Sequence, residues 1–168
     1  TDDFKHLLSF NAEWQEGGAV VVYVEGDGTP WKTRSQVAHQ PTSDNPLLLR
    51  WFVASEFPAV YLGRPCYFGL DDDQCSAYWY THGRYSEKVV RSMVEVLDES
   101  LADRPLILVG HSGGGTLVML MAERLSNVKM VVTIAGNLQV TKWVEHHQYS
   151  ELTGSLDPMI DVNVSGSA

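Results

Sequence analysis

One stretch constrains this chain more than any other: Leu106-Ile107-Leu108-Val109-Gly110-His111-Ser112-Gly113-Gly114-Gly115, followed by a segment with apolar residues at Leu117, Leu120, Met121 and Leu125. A short apolar run that breaks at glycines into a 3.6-residue period reads as a buried strand turning into an amphipathic helix. Three more runs read as strands buried on both faces: Ala19 to Glu25, Pro58 to Leu62 and Val128 to Ile134. Helical patterns lie between them. Asn45-Pro46 offers an N-cap and a first-turn proline ahead of LLLRWFVASEF, and Ser86 caps a segment with Val90, Met93, Val94, Leu97 and Leu101 on one face. Strands alternating with helices predict an α/β fold, with a mostly parallel sheet between helical layers and ligands at the carboxyl ends of the strands. Phe4 to Gln15 adds an expected antiparallel edge strand or hairpin, and no regular period is sustained after Asn137.

The turn at Ser112 matches Gly-x-Ser-x-Gly in the strand-to-helix setting that a nucleophile elbow requires. Small residues are needed there because the serine backbone is strained, and Gly110 and Gly114 let strand and helix approach without a Cβ between them. Ser112 is the candidate nucleophile, and the Gly113 amide at the helix start is a candidate oxyanion donor. The plainer reading is a glycine-rich turn that packs closely or holds a phosphate, but no lysine follows as in a P-loop. His111 lies beside the serine in sequence and is expected to pack rather than take its proton. The loop Glu25-Gly26-Asp27-Gly28, after the first strand, is expected to give the second oxyanion amide, from Asp27 first and Gly26 second.

Composition bounds the rest. At 168 residues the chain is expected to be one domain spanning 1–168, and a net charge of -9 argues against nucleic acid as partner. No run is long and apolar enough to predict a membrane span. Cys66 and Cys75 are the only cysteines. Pairing them would close a short loop and place the protein in an oxidising compartment, whereas two separate thiols would suit a cytoplasmic one. Asp71-Asp72-Asp73 reads as a solvated turn, because adjacent carboxylates cannot converge on one ion, and neither metal nor cofactor is expected.

The segments VVVYVEGDG, NPLLLR, VYLGRPC, HGRYS, LILVGHSGGG and VVTIAGNL…W…HH…LTGSLDP, running in order from about Ala19 to Pro158, resemble a bacterial α/β-hydrolase family whose members are often exported or lipid-anchored. The resemblance implies a three-layer hydrolase-type sheet containing its strands 3 to 6 in spatial order 4-3-5-6, with the chain ending after strand 6. It implies a serine hydrolase that cleaves an ester, thioester or similar acyl bond of a small molecule through an acyl-enzyme on Ser112. Export to a periplasm is then expected, compatible with a lipid anchor upstream, and no obligate protein partner is implied.

The family places its triad acid and histidine after later strands, and no such pattern follows Ser112 here. Two expectations follow: either the last strands lie outside this chain, or local groups substitute. The local candidates are His146 or His147 as base, with Glu145, Asp157 or Asp161 as orienter. Lacking these, the chain would be an inactive hydrolase-like binding domain or a fragment without its triad. Six aromatics between Cys66 and Tyr85 (Tyr67, Phe68, Tyr78, Trp79, Tyr80 and Tyr85) are expected either to wall the substrate site or to form a satellite core. Trp31, in the long loop from Gly26 to Asp44, is expected to close the opposite side.

Overall fold

A computed structural model of the chain describes residues 1–162. Its sheet contains β1 (Leu8–Phe10), β2 (Val20–Val24), β3 (Ala59–Leu62), β4 (Leu106–His111) and β5 (Val128–Ile134), in spatial order β1-β3-β2-β4-β5. Only β1 runs antiparallel, pairing Leu8 with Leu62 and Phe10 with Val60. The helices are α1 (Leu47–Val53), α2 (Glu87–Leu101), α3 (Gly113–Ala122), α4 (Val140–His147) and α5 (Pro158–Asp161). The edge strand falls inside the expected Phe4 to Gln15 region, and β3-β2-β4-β5 reproduces the expected 4-3-5-6 order.

Side chains of β2 and β3 alternate between two cores, as the two-residue period of a strand requires. Val20, Val22, Val24, Val60 and Leu62 pack under α2 and α3, while Ala59 and Tyr61 pack with Phe52 of α1 on the other face. Within α2, Val90, Met93, Val94 and Leu97 are buried, and the Ser86 side chain accepts the Val89 N–H as its N-cap. Together the two cores fill the space on both sides of the sheet's middle strands.

Three expectations are corrected. The Val128–Ile134 run forms β5, but not as a strand buried on both faces: Met130 is 56% and Val132 37% exposed. Among the described residues β5 pairs only with β4. Apolar β-branched residues set its conformation, whereas burial depends on what lies beyond the last strand. Asn45 does not cap α1, because its side chain is bonded to Arg50. The Leu48 N–H instead donates to Glu25 Oε2 at 2.8 Å, a cap supplied from the end of β2. After Asn137, α4 forms with Val140 and Val144 buried where no period was read.

Cys66 and Cys75 are joined by a disulfide, with Cα atoms 5.4 Å apart. It closes the loop after β3, where Asp72 accepts the Lys5 and Gln74 backbone N–H groups at 2.8 and 2.9 Å. No helix among the described residues is long and apolar enough to cross a membrane.

Candidate active site

Ser112 sits between β4 and α3 with φ 50° and ψ -120°, a left-handed conformation that a side chain seldom adopts. Its surroundings over-determine that strain. The Ser112 N–H donates to the Ile134 carbonyl at 2.8 Å, and its own carbonyl accepts from Gly115 N–H at 2.9 Å and Asn137 N–H at 3.4 Å. The glycines of the turn have no room for side chains. A Cβ on Gly110 would lie 2.3 Å from the Gly114 carbonyl oxygen, and one on Gly114 would lie 2.2 Å from that of Val24. Strand and helix therefore touch backbone to backbone, and the serine is left half-buried at the carboxyl end of the sheet.

The Glu25–Gly28 loop lies against this turn, as β2 and β4 are hydrogen-bonded neighbours. A Cβ on Gly26 would come within 3.2 Å of Ser112 Cβ. Gly26 N–H donates to Glu25 Oε1 at 3.1 Å, which occupies it locally. Asp27 carries a buried network: Arg64 Nη1 lies 2.6 Å from Oδ1, while Arg84 Nη1 and the Tyr85 hydroxyl lie 3.1 and 2.6 Å from Oδ2. The Tyr67 hydroxyl donates to the Asp27 carbonyl at 3.0 Å. Burial by itself would raise the Asp27 carboxyl pKa, but the Arg64 and Arg84 guanidiniums and the Tyr85 hydroxyl outweigh it and hold the group below the usual carboxylate range. The same desolvation, with the Asp27 charge, pushes the Tyr85 hydroxyl up, so it stays a donor at any ordinary pH. This network fixes the loop, and the Asp27 carboxylate fills the space beside the Gly113 Cα.

Beside the serine stands a carboxylate–imidazole pair that sequence reasoning did not anticipate. His111 Nδ1 lies 3.0 Å from Glu25 Oε1. A carboxylate only accepts, so Nδ1 carries the proton of this bond and Nε2 is left facing away from Glu25. The signal was available, since Glu25 and His111 end two adjacent parallel strands, but strand pairing had to be known to join them.

Ser112, His111, Glu25, Gly26 and Asp27 share the wall of a cavity of about 800 Å³. Trp31 lines it, as expected of the long loop, and so does His147. His146 does not. His147 packs against rings rather than a carboxylate: Trp143 and Tyr149 have centroids 5.2 and 5.4 Å away. Two of the three orienter candidates are engaged elsewhere, and Glu145 is exposed and does not line the cavity. Asp157 accepts from Met159 N–H and Thr141 N–H, and Asp161 accepts from Asp157 N–H. None of the six aromatics between Cys66 and Tyr85 lines this cavity. Tyr67, Tyr80 and Tyr85 are buried, and the stretch packs onto the two cores of the sheet rather than forming a wall or a core of its own: Tyr85 and Trp79 join the core under α2 and α3, and Phe68 joins the one under α1.

No protein-family model matches the sequence, and no curated protein does. Solved structures do. A lipase-esterase related protein from Clostridium acetobutylicum superposes with a TM-score of 0.52 at 16% identity, over 88% of this chain and 56% of that one. The N-acyl homoserine lactonase AidH, solved with N-butanoyl homoserine, gives 0.53 at 14% identity over 87% and 46%. Mouse alpha/beta hydrolase domain-containing protein 10 gives 0.50 at 19% over 86% and 50%. The fold is that of the α/β-hydrolases. This chain spans about half the length of the solved structures it matches.

Proposed function

We propose that this chain is a serine hydrolase of a small-molecule ester, thioester or similar acyl bond. In this reading Ser112 Oγ attacks the carbonyl carbon, and the Gly113 and Asp27 backbone N–H groups stabilise the oxyanion of the tetrahedral intermediate. Collapse of that intermediate expels the alcohol or thiol with a proton and leaves the acyl group on Ser112, which water then releases as the acid. The observation that carries the reading is Ser112 held at φ 50° between strand and helix, on the wall of a cavity that also borders the Asp27 loop. The arginine-pinned Asp27 carboxylate supports it by fixing the loop whose amide is asked to act. Neither His146 nor His147 is assigned the serine proton. The Cys66–Cys75 bridge supports an exported location, where it would persist.

Stoichiometric labelling by a fluorophosphonate probe, mapped to Ser112 and absent in Ser112→Ala, is the expected result. An unlabelled folded chain overturns the reading. A second reading, a hydrolase-like binding domain without turnover, is favoured by one observation: among the described residues no imidazole is hydrogen-bonded to the Ser112 hydroxyl. Ester turnover that depends on Ser112 excludes it.

A further inference from the structure

The cavity wall beyond Ser112 has a composition that selects ligands. Five rings face it from three separate segments: Trp31 after β2, His82 ahead of α2, and Trp143, His147 and Tyr149 at the end of α4. Trp143 meets His147 and Tyr149 at centroid distances of 5.2 and 5.3 Å and interplanar angles of 58° and 59°. Trp31 meets His82 at 6.1 Å and 81°. His82 Nδ1 lies 3.1 Å from the Glu151 carbonyl oxygen, which ties this second pair to the segment bearing Tyr149. His147 stacks on Tyr149 at an interplanar angle of 17°, yet Tyr149 remains 56% exposed.

We propose that this ring-lined part of the cavity is a subsite for an uncharged, planar aromatic group of the substrate, as in an aryl ester or an aroyl thioester. The proposal rests on the hydrolase reading only for the ester; the subsite itself is a matter of binding. An alkyl chain is a poorer occupant, because among the described residues Pro30 and Leu152 are the only aliphatic side chains on the wall. Tilted rings form corners in which a guest ring finds both a face and an edge, the arrangement aromatic quadrupoles prefer. Ring faces also attract cations. Here, however, Glu25 and Asp27 are already bonded to protein donors, and Arg34 and Arg84 line the same wall, so a positive guest meets no free carboxylate. A sugar prefers one wide, flat platform, and Trp143, tilted nearly 60° from both His147 and Tyr149, does not extend one.

Calorimetric titration of Ser112→Ala with 2-naphthyl acetate and with its saturated decahydronaphthyl counterpart tests the proposal without requiring turnover. The naphthyl ester should bind about tenfold more tightly, with Tyr149→Ala removing about fivefold of that preference and Tyr149→Phe retaining it. Equal affinity for the two esters, no measurable naphthyl binding up to its solubility limit, tighter binding of an acetylated methyl glucoside, or an unchanged preference in Tyr149→Ala overturns it. Fluorophosphonate labelling without naphthyl preference refutes the subsite alone. Naphthyl preference without labelling refutes the nucleophile alone.

Discussion

Glu25 and His111, at the ends of neighbouring parallel strands, are joined by a 3.0 Å contact that continues through the other Glu25 oxygen to the N-terminus of α1. One carboxylate thus holds the imidazole beside Ser112, caps a helix and occupies the Gly26 amide. Couplings of this kind join the site to the fold, because each bond satisfies a group that the strand ends and helix start leave unpaired.

Removing that carboxylate should therefore be felt in stability. Glu25→Ala loses a helix cap and a partly buried hydrogen bond to His111, together about 2 kcal/mol. Glu25→Gln, which can still accept the Leu48 N–H, should lose about half as much. Urea denaturation of the two variants checks the order, and equal losses would mean that the α1 cap contributes nothing.

The strain at Ser112 makes glycine the residue best suited to its backbone. Ser112→Gly should be more stable than Ser112→Ala by about 1 kcal/mol, despite glycine's greater entropy when unfolded. Both variants lack the hydroxyl, so the comparison isolates the backbone. Thermal melts that rank alanine first would remove strain from the account.

Much of this was legible in the sequence, and the exceptions share a cause. Strands β2, β3 and β4 and helices α2 and α3 announced themselves because apolar periodicity, glycines and the Ser86 cap act within a few residues of chain. The Ser112 turn was legible for the same reason: its close approaches demand glycine locally. Glu25 as the cap of α1, His111 as its partner and the arginine cradle of Asp27 depend on residues 23 to 86 positions apart meeting across strands. The exposure of β5 depends on what stands beside it. Helix α4 did carry a signal, in Val140, Trp143, Val144 and His147, which the surrounding polar residues obscured.

His6 gives the fold a pH response. Its ring is half-buried, with Nδ1 3.0 Å from the Gly63 carbonyl oxygen and Nε2 3.1 Å from Ser92 Oγ. Burial lowers its pKa below the ordinary 6.5, against the raising effect of the Gly63 carbonyl; the N-terminal ammonium lowers it further and Asp72 opposes. The unfolded chain thus takes up this proton first. The stabilisation is complete above pH 6.5 and is lost as pH falls through the lower folded value. His6→Gln should flatten the pH dependence of the melting temperature in that window, and an unchanged slope would assign it to other groups.

The disulfide should matter through the unfolded state. Its cysteines are separated by 9 positions in sequence, and a loop of that size carries about 2.7 kcal/mol of closure entropy on the chain model. Denaturation with and without reductant should differ by about that amount. The Cys66→Ala/Cys75→Ala variant should match the reduced protein, since neither retains the cross-link.

Arg64 offers the sharpest test of the Asp27 cradle. Its guanidinium is buried against a carboxylate that also holds Arg84 and Tyr85, so Arg64→Met leaves a buried negative charge with one cation fewer. The expected loss is about 3 kcal/mol, because removing one member of a buried ion pair strands the other. Asp27→Asn strands the arginines in turn and should also destabilise. With both charges removed the penalty no longer arises twice, so the double variant should lose less than the two single losses combined, by about 1 kcal/mol or more. Fluorophosphonate labelling rates of the same variants report on the loop: Arg64→Met should slow labelling of Ser112 even in the fraction that remains folded. Additive losses with unchanged labelling would separate the ion pair from the position of the Asp27 amide.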